Sequence, residues 1–408
     1  MKQEITEERK GYKKTKLGWI PEDWEVDFIE KALLIENNKR KPISQDIRRI
    51  MKGEYPYYGP TQIQDYINEY RYDGEYALIA EDGDHFLKYR ETSMTQITCG
   101  KFNVNNHAHA IKGTNECLTK WFYWYYNRRS VYSHLTRQGA GRYKLNKASL
   151  SKLKIAYPKV SEQKEIILLL DTWDKAITTL TQLIAQKQTL KKGLMQRLLT
   201  GKQRLSEFEG EWDVFIFSEI AERVSRKNTE GDDTVVTISA QRGFVLQEDF
   251  FNKRVASKTL FNYTLVHKGE YCYNKSYSKG YPMGAFKRLD DFEKAVVTTL
   301  YICFKLRENV DSDFINHYFE SGKMIHGLMR IAQEGGRAHG LLNISLPDFF
   351  SLPVKIPKLE EQIAIANVLN TADTEIAGLI AQKEQLELQK KGLMQQLLTG
   401  KKRLKVEE

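Results

Sequence analysis

The sequence predicts an α/β (α+β) protein. Two mixed α/β segments are separated by two long helices packed as an antiparallel coiled coil, in a pseudo-twofold circular arrangement. Three observations predict it. A helical segment, residues 162–205, recurs at 361–404. Each copy follows a segment of similar length with short β-forming runs. A fragment resembling the tail of the repeat stands at the N-terminus.

The repeat comes first because it organises the rest. The two copies align without a gap at an offset of 199, with 22 of 44 positions identical. The shared core is KKGLMQ, at Lys191–Gln196 and Lys390–Gln395, continuing as LLTGK at Leu198–Lys202 and Leu397–Lys401. In the first copy apolar residues fall at Ile166, Leu170, Trp173, Ile177, Leu180 and Ile184, then at Leu194 and Leu198. In the second they fall at Ile365, Leu369, Ala372, Ile376, Leu379, Leu386, Leu393 and Leu397. Alternating steps of three and four are those of a coiled-coil stripe, with Lys187, Lys191, Lys383 and Lys390 in the seam. Pro158 and Pro357 suit helix starts shortly after them, and Gly201 and Gly400 suit stops. Each helix is expected to span about 37 residues, roughly 55 Å. A lone helix of this kind leaves its seam in water. Two copies are therefore expected to pack together, antiparallel because a folded segment lies between them.

The remaining chain divides around the helices. Residues 1–16 form an N-terminal arm, 17–157 a first variable domain, 158–205 the first repeat, 206–356 a second variable domain and 357–408 the second repeat. The variable domains open alike, with Trp19-Ile20-Pro21-Glu22-Asp23-Trp24 in one and Gly210-Glu211-Trp212-Asp213 in the other, but their interiors do not align. Lys10–Gly18 resembles the post-helix tail Gly201–Gly210, so the chain starts partway through a repeat and its ends are expected to lie close together. Tyr76–Ala80, Val235–Ile238 and Val296–Ile302 read as strands. Helices are expected late in each domain, at 118–133 and 312–332.

Charge narrows the function. Lys and Arg exceed Asp and Glu by 63 to 53, a net +10. The excess is local. Residues 117–161 carry 10 basic groups and no acidic one, and 162–205 add a net +4, whereas 206–360 are net −2. The 117–161 stretch also holds nine aromatics. Arg and Lys interleaved with Tyr and Gly suit a phosphate backbone, because cations there release counterions. The glycine loop Gln138–Lys144 is the sharpest case, while the aromatics of 121–133 read equally well as core.

Several classes are excluded. The four cysteines form no CxxC pair, and they read as reduced thiols of a cytoplasmic protein. The charged N-terminus has no apolar stretch, so no signal peptide is expected, and the apolar runs are too short for a membrane span. No NPPY-like tetrapeptide and no GxxxxGK[ST] loop is present. His107-Ala108-His109 with Cys99 lacks further ligands nearby, so no metal site and no catalytic residue is assigned. That strand reads as packed or DNA-facing.

The Trp-Ile-Pro-x-x-Trp opening, Gly139-Ala140-Gly141-Arg142 before a proline, and the doubled KKGLMQ…LLTGK helices together resemble the specificity (S, HsdS) subunit of type I restriction-modification systems. The resemblance covers essentially the whole chain. It implies that the variable domains are target-recognition domains, each reading half of a bipartite double-stranded DNA site. The helices would act as a spacer and dock two methyltransferase (M) subunits. The chain would be non-catalytic and hold no cofactor. S-adenosylmethionine for adenine-N6 methylation would come with M, and ATP and Mg with a restriction (R) subunit. The setting implied is a phage-defence complex in the prokaryotic cytoplasm, held at the nucleoid through DNA. The DNA-facing candidates are Tyr57, Tyr58, Arg128, Arg129, Arg137, Gln138, Arg142, Tyr143 and Lys144 in the first domain. In the second they are Lys275, Ser276, Tyr277, Lys279, Tyr281 and Arg337. For partner docking the candidates are Leu194, Met195, Leu198, Leu393, Met394 and Leu397, which read equally well as coiled-coil core. The rival readings are a stand-alone architectural or regulatory DNA-binding protein, or the specificity subunit of another type of methyltransferase-nuclease.

Overall fold

The computed structural model describes residues 9–138, 142–251, 259–332 and 341–404. They form two compact units, one of 1–181 with 382–408 and one of 182–381. The two long helices run Val160–Leu198 and Leu359–Leu397, each 39 residues. Each passes from one unit into the other. Both end on left-handed glycines, Gly201 at φ 67° and Gly400 at φ 68°. In each tail the glycine N–H and the N–H two residues later close back on the last helical carbonyls, which caps the helix. Gly400 is required twice over, since a Cβ there would sit 2.3 Å from Pro21 Cδ.

Within each unit the helix segments run antiparallel. In the first, Glu162 meets Arg403 and Asp174 meets Lys390. In the second, Glu361 meets Arg204 and Asp373 meets Lys191. These are the same positions of the repeat, so both units use the same locks. The seam lysines are thus accommodated by carboxylates, and Lys187 pairs with Glu375 at 2.6 Å.

The variable domains, unalignable in sequence, share a frame. Trp24, fully buried, precedes the strand Glu25–Phe28, which pairs antiparallel with Lys154–Tyr157 just before the first long helix. Trp212 precedes Asp213–Ile216, which pairs in the same way with Pro353–Ile356 before the second. Each domain therefore begins and ends at one place beside its helix. A late aromatic helix then packs on the long one. Thr119–Asn127 buries Trp121, Phe122, Trp124, Tyr125 and Tyr126, and Ser312–Glu320 buries Phe314, Ile315, Tyr318 and Phe319.

A buried glutamine fixes each joint. The Gln163 side chain accepts from Leu118 N–H at 2.9 Å and donates to the carbonyls of Glu116 at 2.6 Å and Pro158 at 2.8 Å. Gln362 accepts from Asp311 N–H and donates to Pro357 O, both at 2.8 Å. The amide thereby satisfies backbone groups that burial would otherwise leave without partners.

Two four-stranded sheets fill the first domain. One runs in the order Ile63–Ile67, Lys52–Tyr58, Lys101–Val104, Tyr72–Asp73 and the other Leu34–Ile35, Ala108–Lys112, Tyr76–Ala80, Thr95–Thr98. The second domain has one such sheet, Ala221–Val224, Ile302–Leu306, Tyr271–Asn274, Ala285–Arg288, with two-stranded ladders beside it. Val296–Ile302 is not one strand. The chain turns after Val297, and Ile302 opens a strand of another sheet. The helix expected at 118–133 stops at Asn127, where β-branched Val131 turns into the core. The one expected at 312–332 breaks at Gly322, whose φ of +78° is closed to a continuing helix. No helix among the described residues is long and apolar enough to cross a membrane.

Candidate nucleic-acid interface

The carboxylate-free stretch folds into an exposed hairpin, Thr136–Gln138 against Arg142–Lys144. Gln138 and Arg142 face each other across its end, and nothing is described of their side chains. On the next rung Arg137 donates to the Tyr143 hydroxyl at 3.3 Å and lies 5.4 Å over its ring. Tyr132, itself 55% exposed, stands 5.7 Å from that ring. The guanidinium and the Tyr132 hydroxyl hold the Tyr143 phenol below its usual range. Among the described residues no carboxylate pairs with Arg137. A solvated cation over one aromatic ring, with a second ring next to it, is suited to a phosphate contact with sugar or base packing alongside.

Other candidates of the first domain fall elsewhere. Lys144 is turned inward, 3.3 Å from Glu81, and anchors the hairpin. Arg129 lies 3.8 Å over the Tyr125 ring, while Arg128 is exposed. Both line a groove of about 1050 Å³ together with Trp124, Lys390, Lys391 and Met394. Tyr57 and Tyr58 are not on a loop but end the strand Lys52–Tyr58. Tyr57 is 1% exposed, and its hydroxyl accepts from Ile43 N–H at 2.9 Å and donates to Lys41 O at 3.0 Å. That ring is core, and it cannot face DNA. Tyr58 is half-buried, edge-on to Phe102.

In the second domain the predicted loop connects the paired strands Tyr271–Asn274 and Ala285–Arg288. Tyr277 is 66% exposed at its crest, and Lys279 is exposed beside it. Lys275 and Ser276 sit at the base, where Lys275 O accepts from Leu342 N–H at 3.0 Å. Tyr281 is committed inward, donating to Glu320 at 2.8 Å, and that carboxylate also holds Lys287. Burial and the carboxylate push the Tyr281 hydroxyl well up, so it stays protonated as a donor. Arg337 lies outside the described residues.

The six docking candidates belong to the cores. Leu393, Met394 and Leu397 pack in the first unit, and Leu194, Met195 and Leu198 in the second. Leu198 and Leu397 are 2% and 1% exposed, whereas Leu194, Met195 and Leu393 are half-buried and Met394 also lines the groove. The groove lined by Arg128 and Lys391 is an open surface of the first unit.

Sequence reasoning missed the residues that hold the hairpin. Glu81, at the end of its strand, takes Arg40 at 2.6 Å as well as Lys144. His109, fully buried, reaches Leu145 O at 2.7 Å and Asn37 at 2.7 Å. Burial pushes its pKa below the ordinary imidazole value. His107, by contrast, is exposed and pairs with Asp82 at 2.8 Å. Among the described residues no group of three His, Cys, Asp or Glu is gathered for a metal.

Comparison with known proteins agrees with this geometry. Residues 21–190 match the type I restriction modification DNA specificity domain. The type I restriction enzyme MjaVIII specificity subunit of Methanocaldococcus jannaschii is 25% identical over 422 residues, covering 95% of this chain and 94% of that one. Along most of its length the chain is similar to type I restriction enzyme specificity subunits. Another such subunit, from Haemophilus influenzae, is 37% identical over 170 residues, 41% of each chain, so the chain spans about two fifths of that relative's length. The solved S subunit of the type I system from M. genitalium superposes with a TM-score of 0.58 at 11% identity, over 92% of this chain and 96% of that one. The chain therefore shares the fold of that S subunit over most of its length.

Proposed function

We propose that this chain is a specificity subunit that reads a bipartite double-stranded DNA site, one half through each variable domain, and performs no chemistry itself. The observation that carries the reading is the Arg137–Tyr143 hairpin, an exposed cation over one aromatic ring with a second ring beside that one, in the stretch that lacks carboxylates. The second domain would read with fewer cations, through Tyr277, Lys279 and Lys275. M subunits would supply S-adenosylmethionine and flip the target adenine out of the stack, and R subunits would supply ATP-dependent cleavage. The Arg128–Lys391 groove, rather than the buried helix seam, supports M-subunit docking.

Purified chain mixed with S-adenosylmethionine and duplex DNA is expected to transfer no methyl group, and methylation by the chain alone would sink the reading. Arg137→Ala is expected to weaken binding by roughly tenfold and to shallow the salt dependence by about one counterion. An unchanged salt slope would take the hairpin off the DNA.

A further inference from the structure

The recognition hairpin is built on a buried histidine. Leu145, the residue that follows it, is gripped on both sides. Its N–H donates to Glu81 O at 2.7 Å, and its carbonyl faces His109 Nε2 at 2.7 Å. Two residues back, Gly83 N–H donates to Tyr143 O at 3.2 Å.

The proton positions on His109 follow from its neighbours. Ala110 N–H points at the Asn37 side chain at 3.2 Å, so the atom there is the acceptor Oδ1. The Asn37 amide nitrogen is then the one that faces His109 Nδ1 at 2.7 Å. Nδ1 must accept, and the single ring proton sits on Nε2, where it donates to Leu145. A second proton on Nδ1 would set two donors against each other. The charged groups around the ring are Glu81, 3.8 Å from Nε2, and Arg40 and Lys144, which share that carboxylate. The first favours an imidazolium and the other two oppose it.

We infer that His109 is a positioning residue for DNA recognition: as a neutral imidazole held by Asn37 it fixes Leu145, and so sets how the Arg137–Tyr143 hairpin is presented. The inference rests on the hairpin reading above. Protonation at Nδ1 expels the Asn37 donor and loosens the grip. In Asn37→Asp a carboxylate takes the place of that donor, and the doubly protonated ring keeps both of its bonds.

The test compares wild type, Asn37→Asp and Arg137→Ala, using a labelled duplex carrying the motif that an N6-methyladenine map of the host returns. Affinity and hydrogen exchange over 143–145 are followed from about pH 7.5 to about pH 5.5. Wild type is expected to lose about threefold in affinity on acidification, with faster exchange at Leu145, and Asn37→Asp to lose much less of either. Coincident profiles for the two proteins in both readouts overturn the inference and leave the hairpin reading standing. If Arg137→Ala binds as wild type at the higher pH, the hairpin reading fails and the inference fails with it. If Asn37→Asp does not fold, the Leu145 exchange of wild type decides: no acceleration on acidification overturns the inference.

Discussion

At the scale of single residues, burial separates readers from packers. Arg137 and Tyr57 are both candidates for the interface from sequence, Tyr57 the weaker. Arg137 stands in solvent, whereas Tyr57 is enclosed with its hydroxyl bonded on both sides. Tyr57→Phe is therefore expected to leave DNA affinity unchanged while lowering stability by about 1–2 kcal/mol, because Ile43 N–H is left without its acceptor. Paired thermal melts and binding isotherms check both halves. The carboxylate-free run made Arg137 legible in the sequence. Nothing in the sequence marks Lys144 as turned inward, since its partner Glu81 is distant in the chain and adjacent only through the sheet. His317 adds a pH dependence to the second unit. Its ring is buried against Asn370 at 2.8 Å, and burial lowers its pKa. A histidine with a depressed folded pKa contributes stability above its unfolded value of about 6.5 and loses it as the pH falls through the folded value. The second unit is thus expected to melt earlier as the solution is acidified below about pH 6. A stability profile that is flat from neutral to that range would remove His317 from the account.

At the scale of elements, the repeat was the most legible feature. Identical positions turn out to be working ones. Glu162, Gln163, Asp174, Lys191 and Arg204 each have a counterpart 199 residues on, and all form the same locks in both units. The two expected long helices are right in place and within a few residues in length, because periodicity and punctuating glycines are local signals. The β-rich interiors are less legible, because strand pairing is non-local. Val296–Ile302 reads as one apolar run, yet its two ends enter different sheets. The shared frame of the two domains was legible only at its anchors, the alike openings at Trp24 and Trp212 and the repeated Gln163 and Gln362, because the strand pairing that closes it is non-local. Gln163→Ala is expected to cost about 2–4 kcal/mol, because the backbone groups of Leu118, Glu116 and Pro158 lose their partner together. Hydrogen exchange should show the loss in the first unit, and a uniform effect across both units would contradict a local joint.

At the scale of the whole molecule, the chain closes on itself within its first unit. The Tyr12 hydroxyl donates to Gly400 O at 2.9 Å, and Arg403 bridges Asp23 at 2.8 Å and Glu162 at 2.6 Å. The N-terminal arm thus meets the tail of the second repeat, as its likeness to the post-helix tail predicted. The charge imbalance also takes on a structural meaning. Second-domain cations are largely committed: Arg226 to Glu270, Lys287 to Glu320, Arg288 to Asp313 and Lys294 to Glu230. The first domain keeps Arg137 in solvent, with no carboxylate paired to it among the described residues, so it should supply most of the salt-dependent affinity. Removing Arg137 is accordingly expected to shallow the salt slope more than removing Lys279, and equal slopes would refute the asymmetry.

The central claim is that each variable domain reads its own half of the DNA site. Its most direct test replaces residues 206–356 with the corresponding segment of another specificity subunit and maps N6-methyladenine across the host genome. The account predicts that one half of the methylated motif changes while the other is retained. A map in which both halves change, or in which neither does, would contradict it.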